Sequence, residues 1–400
     1  LHPSALIVGG KFTLYQSIIL YRKIKANSIF TGTQMLSAEN VLITTENGNI
    51  QAIVDVSEAG DDVENFEGIL TPGFINSHCH IELSHMKGKI PEKTGLVNFV
   101  QQVMGGRQAN ELEKNEAMQA AAKELFNSGT VAIGDICNNT DSISFKKDNP
   151  LYWHNFIEIS GFIEAAAEKR LQAAEEILDV FKTELVDSKQ FSSTLSPHAP
   201  YSVSKKLFHL LNEKTAHQLI SIHNQEALAE NELYKNKSGD FLNLYKNFGI
   251  DIVDFSPSGK TSLQTWLPYF TNEQTIILVH NTFTTQQEIA TLSNKLYFCI
   301  CINANLYIED KLPPIEMLFQ ANQAIILGTD SYASNWHLNI YEEIKTIQNN
   351  FPAIPFQNIL QWATLNGAKA LGIQDEFGSF EKGKTPGIVL INKNKAERIL

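Results

Sequence analysis

The stretch Thr71-Pro72-Gly73-Phe74-Ile75-Asn76-Ser77-His78-Cys79-His80 decides how the rest of the chain is read. An apolar run, Gly68-Ile69-Leu70, climbs into a Pro-Gly turn, continues as a short strand and ends on His-x-His. Side chains two apart on a strand share a face, so His78 and His80 aim both imidazoles at one point beyond the strand's end. Neutral imidazole is the commonest protein ligand for zinc and related ions. Two histidines at this spacing also arise by chance, so the reading depends on the residues further along the chain.

Three further apolar runs end in the same kind of residue. Leu219-Ile220-Ser221-Ile222 ends in His223, with Glu226 three residues on. Thr275-Ile276-Ile277-Leu278-Val279 ends in His280, and Ala324-Ile325-Ile326-Leu327-Gly328-Thr329 ends in Asp330. The carboxyl ends of parallel strands are where (β/α)8 barrels build active sites. Any one of these histidines alone reads better as a satisfied core or surface residue. Four strand ends carrying only His or Asp point to a metal site.

These motifs resemble the amidohydrolase superfamily, in its branch of nucleobase and nucleoside deaminases and chlorohydrolases. The matching segments are PGFINSHCH at 72–80, SPHAPYSVS at 196–204, HNQE at 223–226, LVHN at 278–281 and LGTDSYAS at 327–334. Cys301-Ile302-Asn303-Ala304-Asn305-Leu306 resembles the family's Cys-x-x-Ser-Asn-Leu strand end, with Ala304 in place of Ser. The resemblance implies a (β/α)8 TIM-type barrel, a small β-sandwich domain built from both termini, and homodimers in some members.

Composition agrees with an enzyme. Hydrophobic residues at 43% suffice for a sizeable core, and a formal net charge of −12 argues against nucleic acid, whose phosphates need a basic surface. Cys79, Cys137, Cys299 and Cys301 form no paired framework, which suggests a reducing, cytoplasmic setting. Cys299-x-Cys301 reads as packing rather than metal binding. No run of about 18 apolar residues suggests a membrane helix. The run at Ser17–Leu20 is too short, and lacks the basic flank, for a signal peptide.

Short strands are expected at 23–26, 41–44 and 50–54, with Asn47-Gly48 turning a hairpin between the last two. Residues 388–391 should pair back onto this first piece. The expected domains are a sandwich from 1–70 and 381–400, with 1–20 unassigned, and a barrel from 71–380. Inside the barrel, strand and helix alternate. Helices are expected over 111–127, 165–185 and 204–217, and strands at 130–135, 151–159, 193–195, 219–223, 275–280, near Asn303, and at 324–330.

His78, His80, His223 and Asp330 would supply three neutral nitrogens and a carboxylate, leaving a position open for water, as in catalytic sites. Two-metal relatives place a carboxylated Lys at the fourth strand. Here that strand end reads Leu195-Ser196-Pro197-His198, with no Lys before Lys205, so one divalent ion is expected. Zinc suits the donors, and iron competes because affinity alone does not choose the metal. The resemblance implies that Glu226 shuttles protons, that His280 polarises and orients the water, and that Asp330 accepts a proton as well as binding metal. Glu226 could instead be an ordinary helix N-terminal Glu.

For a small-molecule substrate, His198 resembles the position that contacts base or ribose, and Glu82 could accept from ribose hydroxyls or an exocyclic amine. The stretch Ile81-Glu82-Leu83-Ser84 resembles aminodeoxyfutalosine deaminases more than methylthioadenosine or guanine deaminases. Asn335 and Trp336 come after the Asp330 loop and fall either in the pocket or on the surface. The expected activity is hydrolytic deamination of a 6-aminopurine nucleoside or similar heterocycle. The alternatives are chlorohydrolysis of an azine ring, another amidohydrolase reaction on C–N bonds, or a non-catalytic scaffold, which would be expected to have lost the ligands present here.

Overall fold

Short apolar, β-branched runs form the eight strands of a parallel barrel in this computed structural model, which describes residues 20–186, 190–292 and 296–400. In chain order these are β1 (Phe74–Cys79), β2 (Thr130–Cys137), β3 (Tyr152–Ile159), β4 (Phe191–Pro197), β5 (Leu219–Asn224), β6 (Thr275–His280), β7 (Leu296–Ile300) and β8 (Ala324–Leu327). Strands covered on both faces read as continuous apolar runs rather than alternating ones. In β6, Ile276, Ile277, Leu278 and Val279 are all buried, each worth roughly 1.5–3 kcal/mol relative to exposure. The unassigned segment 1–20 lies outside the described residues except for Leu20.

Strands β1–β4 pair in parallel as one sheet and β5–β8 as another. Two seams close the ring, and both run through histidines of the strand-end motifs. Between β4 and β5, the His223 N–H donates to the His198 carbonyl at 3.0 Å. Between β8 and β1, the N–H groups of Thr329 and Asp330 both donate to the His78 carbonyl, at 3.0 and 3.1 Å. Asn76 ties the second seam from beneath, its Nδ2 donating to Thr329 Oγ1 at 2.8 Å and its Oδ1 accepting from Thr329 N at 3.1 Å. Closing the barrel therefore gathers residues far apart in the chain at one mouth.

The helix Glu111–Asn127 shows why the flanking layer forms where it does. Asn110 caps it, its side chain accepting from Glu113 N, and Glu111 and Glu113 in the first turn oppose the positive dipole end. Met118, Ala121, Ala122 and Leu125 make its buried stripe at helical spacing. It stops at Ser128, before Gly129, whose φ of 95° suits glycine. A Cβ on Gly129 would lie 2.3 Å from Val389 Cγ2, so this position also sets how closely the C-terminal strand approaches.

The remaining strands form two small sheets. Ile50–Asp55, Asn40–Thr45, Tyr21–Lys25 and Val63–Asn65 lie in that order in one. The other has the order Lys395–Arg398, Ile388–Asn392, Ile69–Pro72, Ser28–Phe30, Met35–Ser37. Ile388–Asn392 pairs antiparallel with Ile69–Pro72, so the C-terminal strand does return to the first piece. The Asn47-Gly48 hairpin is present, with Gly48 at φ 82°. Strands at 28–30, 35–37 and 63–65 escape a sequence reading because three residues are too few for alternation to register.

One element differs in type. The segment at Asn303 is not a strand end: β7 stops at Ile300 and Ile302–Glu309 is a helix. Its apolar residues carry no strand alternation, and they pack a helix whose first turn faces the barrel mouth. Cys299 and Cys301 sit in an apolar cluster with Ile277, Val279 and Ile326.

Candidate metal centre and active site

His78 and His80 leave β1 on one face, as the spacing required. His80 Nε2 lies 3.2 Å from both His78 Nε2 and His223 Nε2. Asp330 Oδ1 is 3.3 Å from His80 Nε2 and 3.7 Å from His78 Nε2. One donor atom from each of these four residues falls within 4.8 Å of all the others. Asp330 has a left-handed backbone, φ 59°, as do His280 and Asn281 at 73° and 58°. Such conformations cost energy in non-glycine residues and cluster where structure is held for function.

The hydrogen bonds around the cluster fix which atoms face inward. His223 Nδ1 is 2.7 Å from the His198 carbonyl and must donate to it, leaving Nε2 as a lone pair. Asp330 Oδ2 accepts from Ser334 Oγ at 2.6 Å, leaving Oδ1 for the histidines. Burial pushes the pKa of His80 down, and that of His223 well down. Burial opposes ionisation of Asp330 too, but its hydrogen bond with His78 and the neighbouring His80 and His280 hold it well below the usual carboxylate range. Neutral nitrogens and an ionised oxygen converging this closely repel one another unless a cation lies among them. The donor set fits a divalent metal.

His280 and Glu226 stand beside this cluster. His280 Nδ1 is 3.0 Å from Asn305 Oδ1, and Asn305 Nδ2 in turn donates to Thr282 Oγ1. Nδ1–H therefore donates to the amide oxygen, and Nε2 is an acceptor with no hydrogen-bond partner among the described residues. Burial pushes the His280 pKa down to about 4, so the ring is neutral at pH 7. Glu226 Oε2 lies 3.5 Å from that Nε2. Desolvation, followed by the charges of Asp330 and Glu230, raises the Glu226 pKa well above the usual range. Glu230, itself buried, fixes the loop by accepting from the N–H groups of Glu226 and Gln225 at 2.8 and 3.1 Å.

A cavity of about 440 Å³ opens over these groups, lined at its floor by His80, His223, Glu226, His280 and Asp330. Its outer walls carry Phe99, Val100 and Val103 from the helix Leu96–Gly106 and Ala174 and Ile177 from the helix Ala167–Glu184, with Arg107 and Arg170 among them. His198 lines the cavity, and its Nδ1 lies 2.7 Å from Ser202 Oγ. Glu82 does not line it: the carboxylate is buried beneath and accepts from the Asn138 N–H at 3.1 Å. Asn335 also lies behind the site, donating to the Thr329 carbonyl and Glu343, while Trp336 is 39% exposed and donates to Glu92. The sequence reading missed Glu158, Asn138, Arg107, Asn305 and Glu230, of which only Asn305 belongs to a family motif.

A model of the Amidohydrolase family matches residues 69–399. A 5'-deoxyadenosine deaminase of Methanococcus maripaludis is 28% identical over 374 residues, covering 87% of this chain and 80% of its own. An adenosine deaminase of Helicobacter pylori is 26% identical, covering 82% of this chain and 80% of its own. In fold, the chain is similar to the crystal structure of Helicobacter pylori aminofutalosine deaminase, with a TM-score of 0.78, 23% identity and 93% of each chain covered. Among the described residues no helix is long and apolar enough to cross a membrane.

Proposed function

The chain belongs to the Amidohydrolase family, and from that premise we propose that it is a metal-dependent hydrolytic deaminase of a 6-aminopurine nucleoside. The observation that carries this reading is the pair at the cavity floor, the Glu226 carboxyl, whose protonated form burial favours, 3.5 Å from a neutral, accepting His280 Nε2. Replacing an amine on a ring carbon by oxygen needs an acid for the ring nitrogen and a base for the incoming water. Burial biases Glu226 towards the acid form and His280 towards the neutral base. The 5'-deoxyadenosine and adenosine deaminases among the relatives support the purine nucleoside as substrate.

His78, His80, His223 and Asp330 would hold one divalent cation, for which we propose zinc, and such a cation lowers the pKa of a water towards about 7. Glu226 gives its proton to the ring nitrogen beside the amine-bearing carbon, which makes that carbon electrophilic. His280 Nε2 takes a proton from the attacking water as the new C–O bond forms. As the tetrahedral carbon collapses, the amine takes the proton from His280 and leaves as ammonia. Glu226 recovers a proton from the new hydroxyl, so both residues return to their starting states. Burial of the pair restricts these transfers to the site, and acid–base assistance of this kind contributes typically about 10²–10⁴-fold.

Ammonia release by metal-loaded protein tests the reading, across adenosine, 5'-deoxyadenosine, methylthioadenosine and aminodeoxyfutalosine, with guanine as outlier. One or more of the nucleosides should be deaminated, and Glu226→Gln should lower kcat by about 10²–10⁴-fold with metal content unchanged. Silence across all four nucleosides, or a Glu226→Gln variant as active as the parent, would sink the proposal.

A further inference from the structure

Glu158, the one residue of β3 that is not fully buried, lies beside the ligand cluster, yet the deamination chemistry gives it nothing to do. Its side chain is 9% exposed and lines the cavity. Oε2 accepts from Asn138 Nδ2 at 2.7 Å. Asn138 cannot turn away, because its N–H donates to Glu82 Oε2 at 3.1 Å and its Oδ1 accepts from Arg107 Nη2 at 3.2 Å. Glu82 and Arg107 thus position Asn138, and Asn138 positions Glu158. Oε1 accepts no hydrogen bond from any described residue. The nearest ring nitrogen, His223 Nδ1, is 3.9 Å away and already donates to the His198 carbonyl.

We propose that Glu158 accepts the vicinal hydroxyls of the substrate's sugar, an inference that rests on the nucleoside reading. A carboxylate held almost out of solvent, with one oxygen pinned and the other open to a cavity, requires donors from the ligand. A cis-diol supplies two, and no other uncharged part of a nucleoside offers two adjacent hydroxyls. The placement agrees. Glu226 comes after β5 and His280 ends β6, whereas Glu158 stands on β3, across the mouth. A purine seated with its amine-bearing carbon between Glu226 and His280 and its sugar turned towards β3 and β4 brings the hydroxyls to Glu158 and His198, which line the same cavity. The 5' position then leads to the outer walls. The same carboxylate repels a phosphate at the 2' or 3' position, which selects free nucleosides over such phosphates.

The neighbouring trio Glu158, His198 and His223 also brings three donor atoms within 4.8 Å. A second cation there would need the His223 Nδ1 lone pair, and that atom carries the proton bonded to the His198 carbonyl. That proton disfavours the rival role, which is an outcome of the test.

The experiment compares kcat/KM for ammonia release from adenosine and from 2',3'-dideoxyadenosine, with metal-loaded parent protein and Glu158→Gln. Hydrogen bonds to a charged group lead us to expect the parent to favour adenosine by roughly 10- to 100-fold. In Glu158→Gln that preference should shrink to within about threefold, through KM rather than kcat, because the two deletions remove one interaction and are not additive. A preference that survives in Glu158→Gln overturns the inference while leaving the deaminase intact. No ammonia from these or from the other three nucleosides of the panel overturns both; where another of the panel is the substrate, its own 2',3'-dideoxy analogue takes the place of 2',3'-dideoxyadenosine. Two metals per parent chain, falling to one in the variant, would assign Glu158 to a second cation instead. Should the variant fail to fold, a parent protein indifferent to loss of both hydroxyls is by itself enough to overturn the inference.

Discussion

Asp135 and Asp330 occupy equivalent places on either side of β1, and Cys79, between the two histidines, pairs with both. Both carboxylates are buried. Asp135 is neutralised from within the chain: Lys146 Nζ lies 2.6 Å from Oδ2, and the Ile81 N–H donates to Oδ1 at 2.9 Å. Lys146 also donates to Asn155 Oδ1 at 2.8 Å and lies 4.9 Å from the Trp153 ring. Burial works against its charge, but Asp135 and Cys137 outweigh this and raise its pKa. Among the described residues Asp330 meets no lysine or arginine, but a serine and a ring of imidazoles. A buried carboxylate is costly without a counter-charge. The difference accords with the proposed metal site: one side of β1 is complete on folding, and the other has the donors that a cation from solution would complete.

The strongest way to break this comparison is to remove the metal. Chelation should abolish ammonia release and lower the melting temperature, by an amount corresponding to about 4 kcal/mol if the metal had been present at a thousand times its Kd. Zinc should restore both. Asp330→Ala should bind little metal and show no further response to chelator. If metal-free protein, verified by elemental analysis, melts where the loaded protein does, Asp330 needs no external charge and the contrast with Asp135 fails.

The complementary change is made on the other side. Lys146→Met strands Asp135 in the core, and breaking a buried pair in this way costs about 3–5 kcal/mol. Pairing it with Asp135→Asn should recover much of that loss, since no charge is then left behind. Urea denaturation of the parent and both variants measures the loss and the recovery. A single variant within about 1 kcal/mol of the parent would mean that water reaches Asp135. Because Ile81 comes directly after His80, the single variant should also hold metal more weakly than the double.

The same contrast explains what the sequence disclosed. His78, His80, His223 and Asp330 each end an apolar run, and a strand's geometry determines where its last side chains point. The barrel and most of its strands were legible for that reason. Asp135 and Lys146 were not, since a salt bridge between residues eleven apart depends on how a short helix folds back under β2. Glu158 lies one residue before the end of a strand interrupted by His154 and Asn155, and its role depends on Asn138 and Arg107, which lie elsewhere in the chain. Glu82 was singled out for its position after the histidines, and only the packing reveals that it reaches a backbone N–H beneath the cavity. The helix at Ile302–Glu309 looked like a strand end because short apolar runs do not declare their period.

A buried histidine extends the comparison to a case with neither counter-charge nor metal. His154 on β3 lies against Phe156, with Nε2 3.0 Å from Thr194 Oγ1 and Nδ1 unbonded. No carboxylate offsets its burial, which pushes its pKa down to about 3. Unfolded histidine titrates near 6.5. As pH falls below that value the unfolded chain takes up a proton that the folded chain refuses. The stability due to a neutral His154 is therefore complete above pH ~6.5 and is lost as pH falls towards about 3, at about 1.4 kcal/mol per unit. By pH ~4.5 the loss should reach about 2–3 kcal/mol. His154→Gln, which keeps a partner for Thr194, should flatten the melting-temperature profile across that window by this amount and leave it unchanged above pH ~7. Parallel profiles for parent and variant would mean that His154 is protonated in the folded state, and burial without a counter-charge would then not suffice to hold a base neutral in this core.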